Sequence, residues 1–179
     1  MKKPSKDYIN AVDFPQNINV VPIGIVRSPY KERHGTPRQA VLSATPKGFQ
    51  PSNAQIEIFE SIPEKALNDI EGFDRIWIIS YLHLNVNWNP TVRIPRGPKN
   101  KYGTLSTRAP HRPNPIGLSC VKLTMRKGRT LHVEGIDLLD GTPIIDIKPY
   151  VPYCDAFPQA KAGYVDDLER QGIREADIK

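Results

Sequence analysis

"RIWIISYLHLNVN", residues 75 to 87, is the most strand-like run in the chain. Isoleucine, tryptophan and tyrosine suit a pleated, half-buried surface better than a helix. Shorter segments of the same character lie on both sides. Upstream, "VVPIGIVRS" (20–28) is rich in β-branched residues, and "AQIEIF" (54–59) alternates apolar and polar side chains. Downstream, segments 102–107, 116–126, 130–138 and 143–148 are each bounded by glycine, proline or charge. "RKGRT" (126–130) and "LDGTP" (139–143) read as compact turns.

Helical signals are few. Ser61-Ile62-Pro63-Glu64 resembles a capping box with proline at the helix start, and Gly72 is a fitting stop, so the spacing predicts a short helix over 63–70. The tail "YVDDLERQGIREADIK" predicts a second helix. Between the first two strands runs a basic, proline-punctuated loop, "PYKERHGTPRQAVLSATPKGFQPSN", with room for a short strand at Ala40 to Ser43. Many short strands and little helix predict a mainly β fold: a single small antiparallel β-barrel-like domain with short helices, a sandwich being the alternative. The expected division is a polar lead-in (1–17), one β domain (18–158) and a partly helical C-terminal tail (159–179).

A chain of 179 residues with 39% hydrophobic content can bury one real core, and its 18 prolines imply much loop. The formal charge of +6 favours an anionic partner, nucleic acid first, although scattered solvated lysines give the same sum. Cys120 and Cys154 form no CxxC pair, and Cys120 in its apolar run reads as a small core residue. Without a Cys/His cluster no structural metal is expected. The N-terminal lysines precede no apolar stretch and no run approaches membrane-spanning length, so a cytoplasmic setting without membrane contact is the expectation. There is no GxGxxG and no GxxxxGK[ST] between a strand and a helix, so the fold is non-Rossmann and any nucleotide-like cofactor is held by strands and loops. GxSxG and HExxH are absent too.

One stretch fits neither helix nor inner strand. "STRAPHRPNPIGLS" (106–119) packs three prolines, two arginines, a histidine and an asparagine into fourteen positions. With its flanks, "YGTLSTRAPHRPNPIGLS" resembles the signature of the TsaA-like (TrmO) family. The resemblance extends to "SPYKERHGTPRQA", "YLHLN", "NPTVRIPRG" and "GIDLLDGTPIIDIKPYVPYCDAFP", covering roughly residues 20 to 158. It implies a small β-barrel enzyme that uses S-adenosylmethionine to methylate N6 of threonylcarbamoyl-adenosine beside the anticodon of certain tRNAs. It also implies a homodimer with the cofactor near the interface. Carried onto matching positions, the cofactor contacts are Pro37, Arg38 and Gln39, then His83 and Leu84, then Arg108, Leu118 and the turn Asp140-Gly141-Thr142-Pro143. Longer bacterial members carry an additional C-terminal domain.

The chemistry of these residues suits such a ligand. Arg108 presents a fork to a carboxylate, or is a surface arginine beside a strand. The Asp-Gly turn offers a carboxylate and exposed backbone amides for an adenine edge or ribose, or is an ordinary hairpin connection. Arg27, Lys31, Arg33 and Arg38, interleaved with Tyr30 and His34, suit phosphates and unpaired bases, or form a solvated loop. His83 is either a satisfied core histidine or a cofactor contact. Pro110, Pro113 and Pro115 stiffen their loop, so Arg112 and Asn114 either hold the pocket together or meet RNA, and His111 either stacks on a base or serves the loop. Asp146 and Lys148 read as an ion pair on one strand face. Two rival functions share the features: a non-catalytic RNA-binding β module, and a methyltransferase of the same fold with another acceptor. No residue is singled out as a general base.

Overall fold

The computed structural model describes residues 17–32, 36–37, 52–95 and 97–173. Six of its strands close into a barrel: β1 (Gly24–Arg27), β2 (Asn53–Ile58), β3 (Arg75–Tyr81), β6 (Ile116–Lys127), β7 (Thr130–Glu134) and β8 (Pro143–Pro149). The order around the barrel is β1-β2-β7-β6-β3-β8, and every pairing is antiparallel. Closure leaves no free sheet edge, which answers the edge problem of a small all-β domain. A separate ribbon pairs β4 (Thr91–Arg93) with β5 (Lys101–Gly103).

Period-two burial builds the core. Along β3, Ile76, Ile78 and Ser80 point inward, while Arg75, Trp77, Ile79 and Tyr81 are less buried. The inward set joins Val26, Ile56, Val121, Leu131 and Ile144 in one cluster. The β6–β7 connection at Gly128-Arg129 is the expected hairpin. The Asp140-Gly141 turn is not one: it leads into β8, which pairs with β1 and β3 and never with β7.

Several boundaries differ from the sequence expectation. The run 75–87 is strand only to Tyr81; beyond it the Leu82 amide donates to the Pro115 carbonyl at 2.7 Å and the chain turns. The strand expected at 130–138 ends at Glu134, where Gly135 has φ +85°. The helix expected over 63–70 is two short 3₁₀ turns, Glu64–Leu67 and Ile70–Gly72. Its capping glutamate is engaged elsewhere, because Arg126 Nη2 donates to Glu64 at 3.1 Å, and Asp69 at φ +66° breaks the helical path. Two short helices follow the barrel, α1 (Pro152–Asp155) and α2 (Tyr164–Arg170). α2 is anchored by Leu168, which packs against Gly97, and by Tyr164, whose ring lies 4.4 Å from that of Tyr102. The short strand considered at Ala40 to Ser43 lies outside the described residues. No helix among the described residues is long and apolar enough to cross a membrane.

Candidate cofactor cleft

The proline-rich segment becomes a clip. Thr104–Ser106 forms a 3₁₀ turn after β5. Arg112 Nη1 then donates to the carbonyls of Thr107 (2.7 Å), Ala109 (3.3 Å) and Thr104 (3.4 Å). Those carbonyls bracket Arg108 in the chain, so one guanidinium nitrogen shapes the backbone that carries a second arginine. The clip is fastened to the segment after β3: the Thr104 amide donates to Pro90 at 3.0 Å and the His111 ring Nδ1 lies 3.0 Å from the Asn87 carbonyl. His111 therefore serves the loop in this arrangement, and Arg112 holds the loop together. Arg108 is exposed and its guanidinium has no protein partner among the described residues. A cation held in place yet unpaired is suited to an anion that arrives from solution.

The Asp140-Gly141-Thr142-Pro143 turn is built differently from the sequence reading. Its backbone amides are not available to a ligand: Asp140 N donates to Tyr30 (2.8 Å), Gly141 N to Val26 (2.9 Å) and Thr142 N to Leu139 (3.1 Å). Gly141 takes φ +79°, which a side chain there would resist. The Asp140 carboxylate accepts from Lys31 Nζ at 2.6 Å and from the Ser28 amide at 3.1 Å. The Lys31 hydrogen bond, helped by the Ser28 amide and opposed by burial, holds its carboxyl below the ordinary aspartate range. Asp140 thus anchors the long loop after β1 to the turn before β8.

Between these two structures opens a cleft of about 1930 Å³. Pro37, His83, Leu84, Arg108, Leu118 and Thr142 line it, brought together from separate stretches of the chain. Asp140, Gly141 and Pro143 do not contribute to its walls, and Arg38 and Gln39 lie outside the described residues. Leu84 and Leu118 are 64% and 53% exposed, too much for a finished core and apt for an apolar ligand face. His83 is exposed in the turn after β3, so it is not a core histidine. Six described cations line the cleft (Lys31, Arg75, Arg93, Lys101, Arg108, Arg112) against two carboxylates, Asp137 and Asp155. A concave surface with that imbalance focuses a positive field on its opening.

The sequence reading passed over several lining residues. Trp77 and Tyr150, with ring centroids 5.8 Å apart, form an aromatic pair along the wall. Cys120, which the sequence reading took as a small core residue, is buried beside them, its thiol pushed up by burial with Arg75 pulling the other way. Asp137 sits three residues before the conspicuous Asp140, in "GIDLLDG", and the turn motif drew attention away from it. Asp146 and Lys148 pair at 2.8 Å on β8, as expected from their shared face. No cluster of His, Cys, Asp and Glu among the described residues is arranged to hold a metal ion.

The chain matches the family model for the tRNA-methyltransferase O N-terminal domain over residues 25–156. It is 40% identical over 153 residues to a probable S-adenosyl-L-methionine-binding protein of Pyrococcus abyssi, covering 86% of this chain and 79% of that one. It is 37% identical over 150 residues to the tRNA (adenine(37)-N6)-methyltransferase of Escherichia coli, covering 79% of this chain but 61% of the enzyme. The crystal structure of TrmO from Pseudomonas aeruginosa superposes with a TM-score of 0.68 at 37% identity, over 84% of this chain and 63% of that one. The chain therefore spans under two thirds of the length of these last two relatives. The matched region takes in all six barrel strands but the first residue of β1, together with the proline clip and the cleft, and by that match the chain belongs to the tRNA-methyltransferase O N-terminal-domain family.

Proposed function

We propose that this protein is an S-adenosylmethionine-dependent tRNA methyltransferase acting on N6 of threonylcarbamoyl-adenosine next to the anticodon. The observation that carries the reading is the convergence of Arg108, His83, Leu84, Leu118, Thr142 and Pro37 on one cationic cleft. The residues fit the cofactor's chemistry: an unpaired guanidinium for its carboxylate, exposed leucines and an aromatic pair for its apolar faces, and no glycine loop required. The cleft is larger than the roughly 300–1,000 Å³ of a single-ligand pocket, which leaves space for a nucleoside beside the cofactor.

Bound there, S-adenosylmethionine would supply an electrophilic methyl group on a sulfonium. The chain's task is to hold donor and acceptor in line, which by itself accounts for much of a methyl transfer. Arg108, fixed through the Arg112 clip, would take the carboxylate end, and the Asp140–Lys31 anchor would keep Thr142 in the wall. The remaining cations on the walls would neutralise the phosphates flanking the target base. The enzyme would work in the cytoplasm as a homodimer: Tyr81, Ile116 and Leu118 are 45%, 48% and 53% exposed on adjacent strands, an apolar face that runs into the cleft wall and would bring a second copy against the cofactor site.

The deciding experiment combines purified protein, methyl-labelled S-adenosylmethionine and tRNA bearing the threonylcarbamoyl group. Label is expected in the tRNA. If cofactor binding saturates and label stays out, the acceptor assignment fails; sedimentation as a single 20.2 kDa species would remove the homodimer.

A further inference from the structure

Like charges set directly opposite one another on paired strands repel and weaken the pairing. Among the described residues the barrel does this once, where Arg75 of β3 faces Lys122 of β6. There the next strand relieves it: Glu134 of β7 also lies opposite Lys122 and pairs with it at 3.2 Å. The β4–β5 ribbon repeats the arrangement without the relief. Its register sets Arg93 directly opposite Lys101, and a two-stranded ribbon has no third strand to supply a carboxylate. Neither side chain has an ion-pair partner among the described residues.

The ribbon nevertheless holds the two cations in place. Val92 and Tyr102, on its other face, are half-buried, and the Tyr102 ring packs on Tyr164 of α2. Between the two strands Gly97 abuts Leu168 of α2, and after β5 the Thr104 amide donates to the Pro90 carbonyl. Arg93 and Lys101 thus share the exposed face, their Cβ atoms about 5 Å apart, and both line the cleft. A guanidinium and an ammonium at that spacing suit one tetrahedral anion, the fork taking two oxygens and the ammonium a third. S-adenosylmethionine carries no phosphate, and its single carboxylate falls to Arg108 in the reading above. The anion left for this pair is a phosphate of the nucleic acid.

Resting on the tRNA-methyltransferase reading above, we propose that Arg93 and Lys101 together seat one backbone phosphate of the tRNA, and that their mutual repulsion is a stability cost of that seat.

Three variants of the full chain test both halves: Arg93→Gln, Lys101→Gln and Lys101→Glu. Filter binding of tRNA is read across a salt series, S-adenosylmethionine affinity by calorimetry, and stability by melting. Each glutamine variant is expected to weaken tRNA about 5- to 10-fold at 100 mM salt and to reduce the salt slope by about 1, as loss of one phosphate contact does. Lys101→Glu is expected to weaken tRNA further yet to melt about 1–4 °C above wild type, because it turns a repulsive cross-strand pair into an attractive one. S-adenosylmethionine affinity is expected to stay at the wild-type value in all three. Unchanged tRNA affinity and slope in the glutamine variants overturn the proposal and leave the methyltransferase reading standing. A loss of S-adenosylmethionine affinity to match would give the pair to the cofactor, and overturns it equally. A lower melting temperature for Lys101→Glu would mean that Lys101 is not repelled where it stands, which removes the stability half. Should the wild-type protein bind no tRNA, the acceptor reading itself falls.

Discussion

The surroundings of Asp140 decide its duty. Asp140 is tied to Lys31 and Ser28, so its charged form is favoured in the folded state. A depressed folded pKa contributes stability above the ordinary aspartate value and loses it as pH falls through the folded one. Asp140→Asn is therefore expected to lower the melting temperature by a constant amount near neutrality, the difference shrinking below about pH 4. Calorimetric scans from pH 7 to pH 3 check this; a difference that grows on acidification contradicts the assignment. Arg108 is the contrasting case, exposed and without a protein partner among the described residues. Arg108→Ala should leave the melting temperature unchanged and weaken S-adenosylmethionine about 10- to 100-fold, the scale of a lost charged hydrogen bond. Parallel calorimetry and melting of the purified variant separate the two effects.

At the scale of elements, the contact of β3 with β6 leaves no room for a side chain at Gly117. Ser80 lies opposite Gly117, and a Cβ at position 117 would collide with the serine hydroxyl and press on Leu82. The hydroxyl is wholly buried with no hydrogen-bond partner among the described residues. Gly117→Ala is expected to destabilise by about 1–3 kcal/mol, the usual cost of overpacking. Ser80→Ala is expected to be neutral or stabilising, since it removes a desolvated group, and the double variant should recover part of the glycine loss. Urea melts of the three proteins measure this, and strict additivity would refute the proposed collision. The clip makes a parallel case: Arg112→Ala removes a charged donor from three carbonyls and should cost about 1–3 kcal/mol of stability. An Arg112→Ala protein as stable as wild type in the same melts would mean that those bonds contribute nothing.

Across the whole molecule, the six cations of the cleft come from four separate parts of the fold: the loop after β1, β3, the β4–β5 ribbon and the proline clip. They form one field only because the barrel closes and the clip brings its two arginines to the same cleft. If about four of them meet tRNA phosphates, affinity should fall about fifty-fold between 50 and 200 mM salt, from the release of condensed counterions. Filter binding across that range tests it; a flat salt dependence would exclude this surface as the RNA site.

Much of this was legible in one dimension. Period-two alternation in "AQIEIF" marked β2 to within a residue, because each side chain on a strand reports its face directly. The proline density at 110–115 marked a stiff loop for an equally local reason, the ring's hold on φ. Where β3 stops was not legible: Leu82 to Asn87 keep a strand-like composition, and only the hydrogen bond from Leu82 to Pro115, thirty-three residues away, turns the chain. The surroundings of Asp140 and Asp137 were hidden for the same reason, since they depend on Lys31 and Ser28 in the loop after β1 and on Ser119 of β6, all remote in the chain. Local stereochemistry, which acts between neighbours in the chain, sufficed for the strands and the rigid loop. Barrel closure decided the rest, because hydrogen bonds and Coulomb forces between remote residues exist only once the strands are in register.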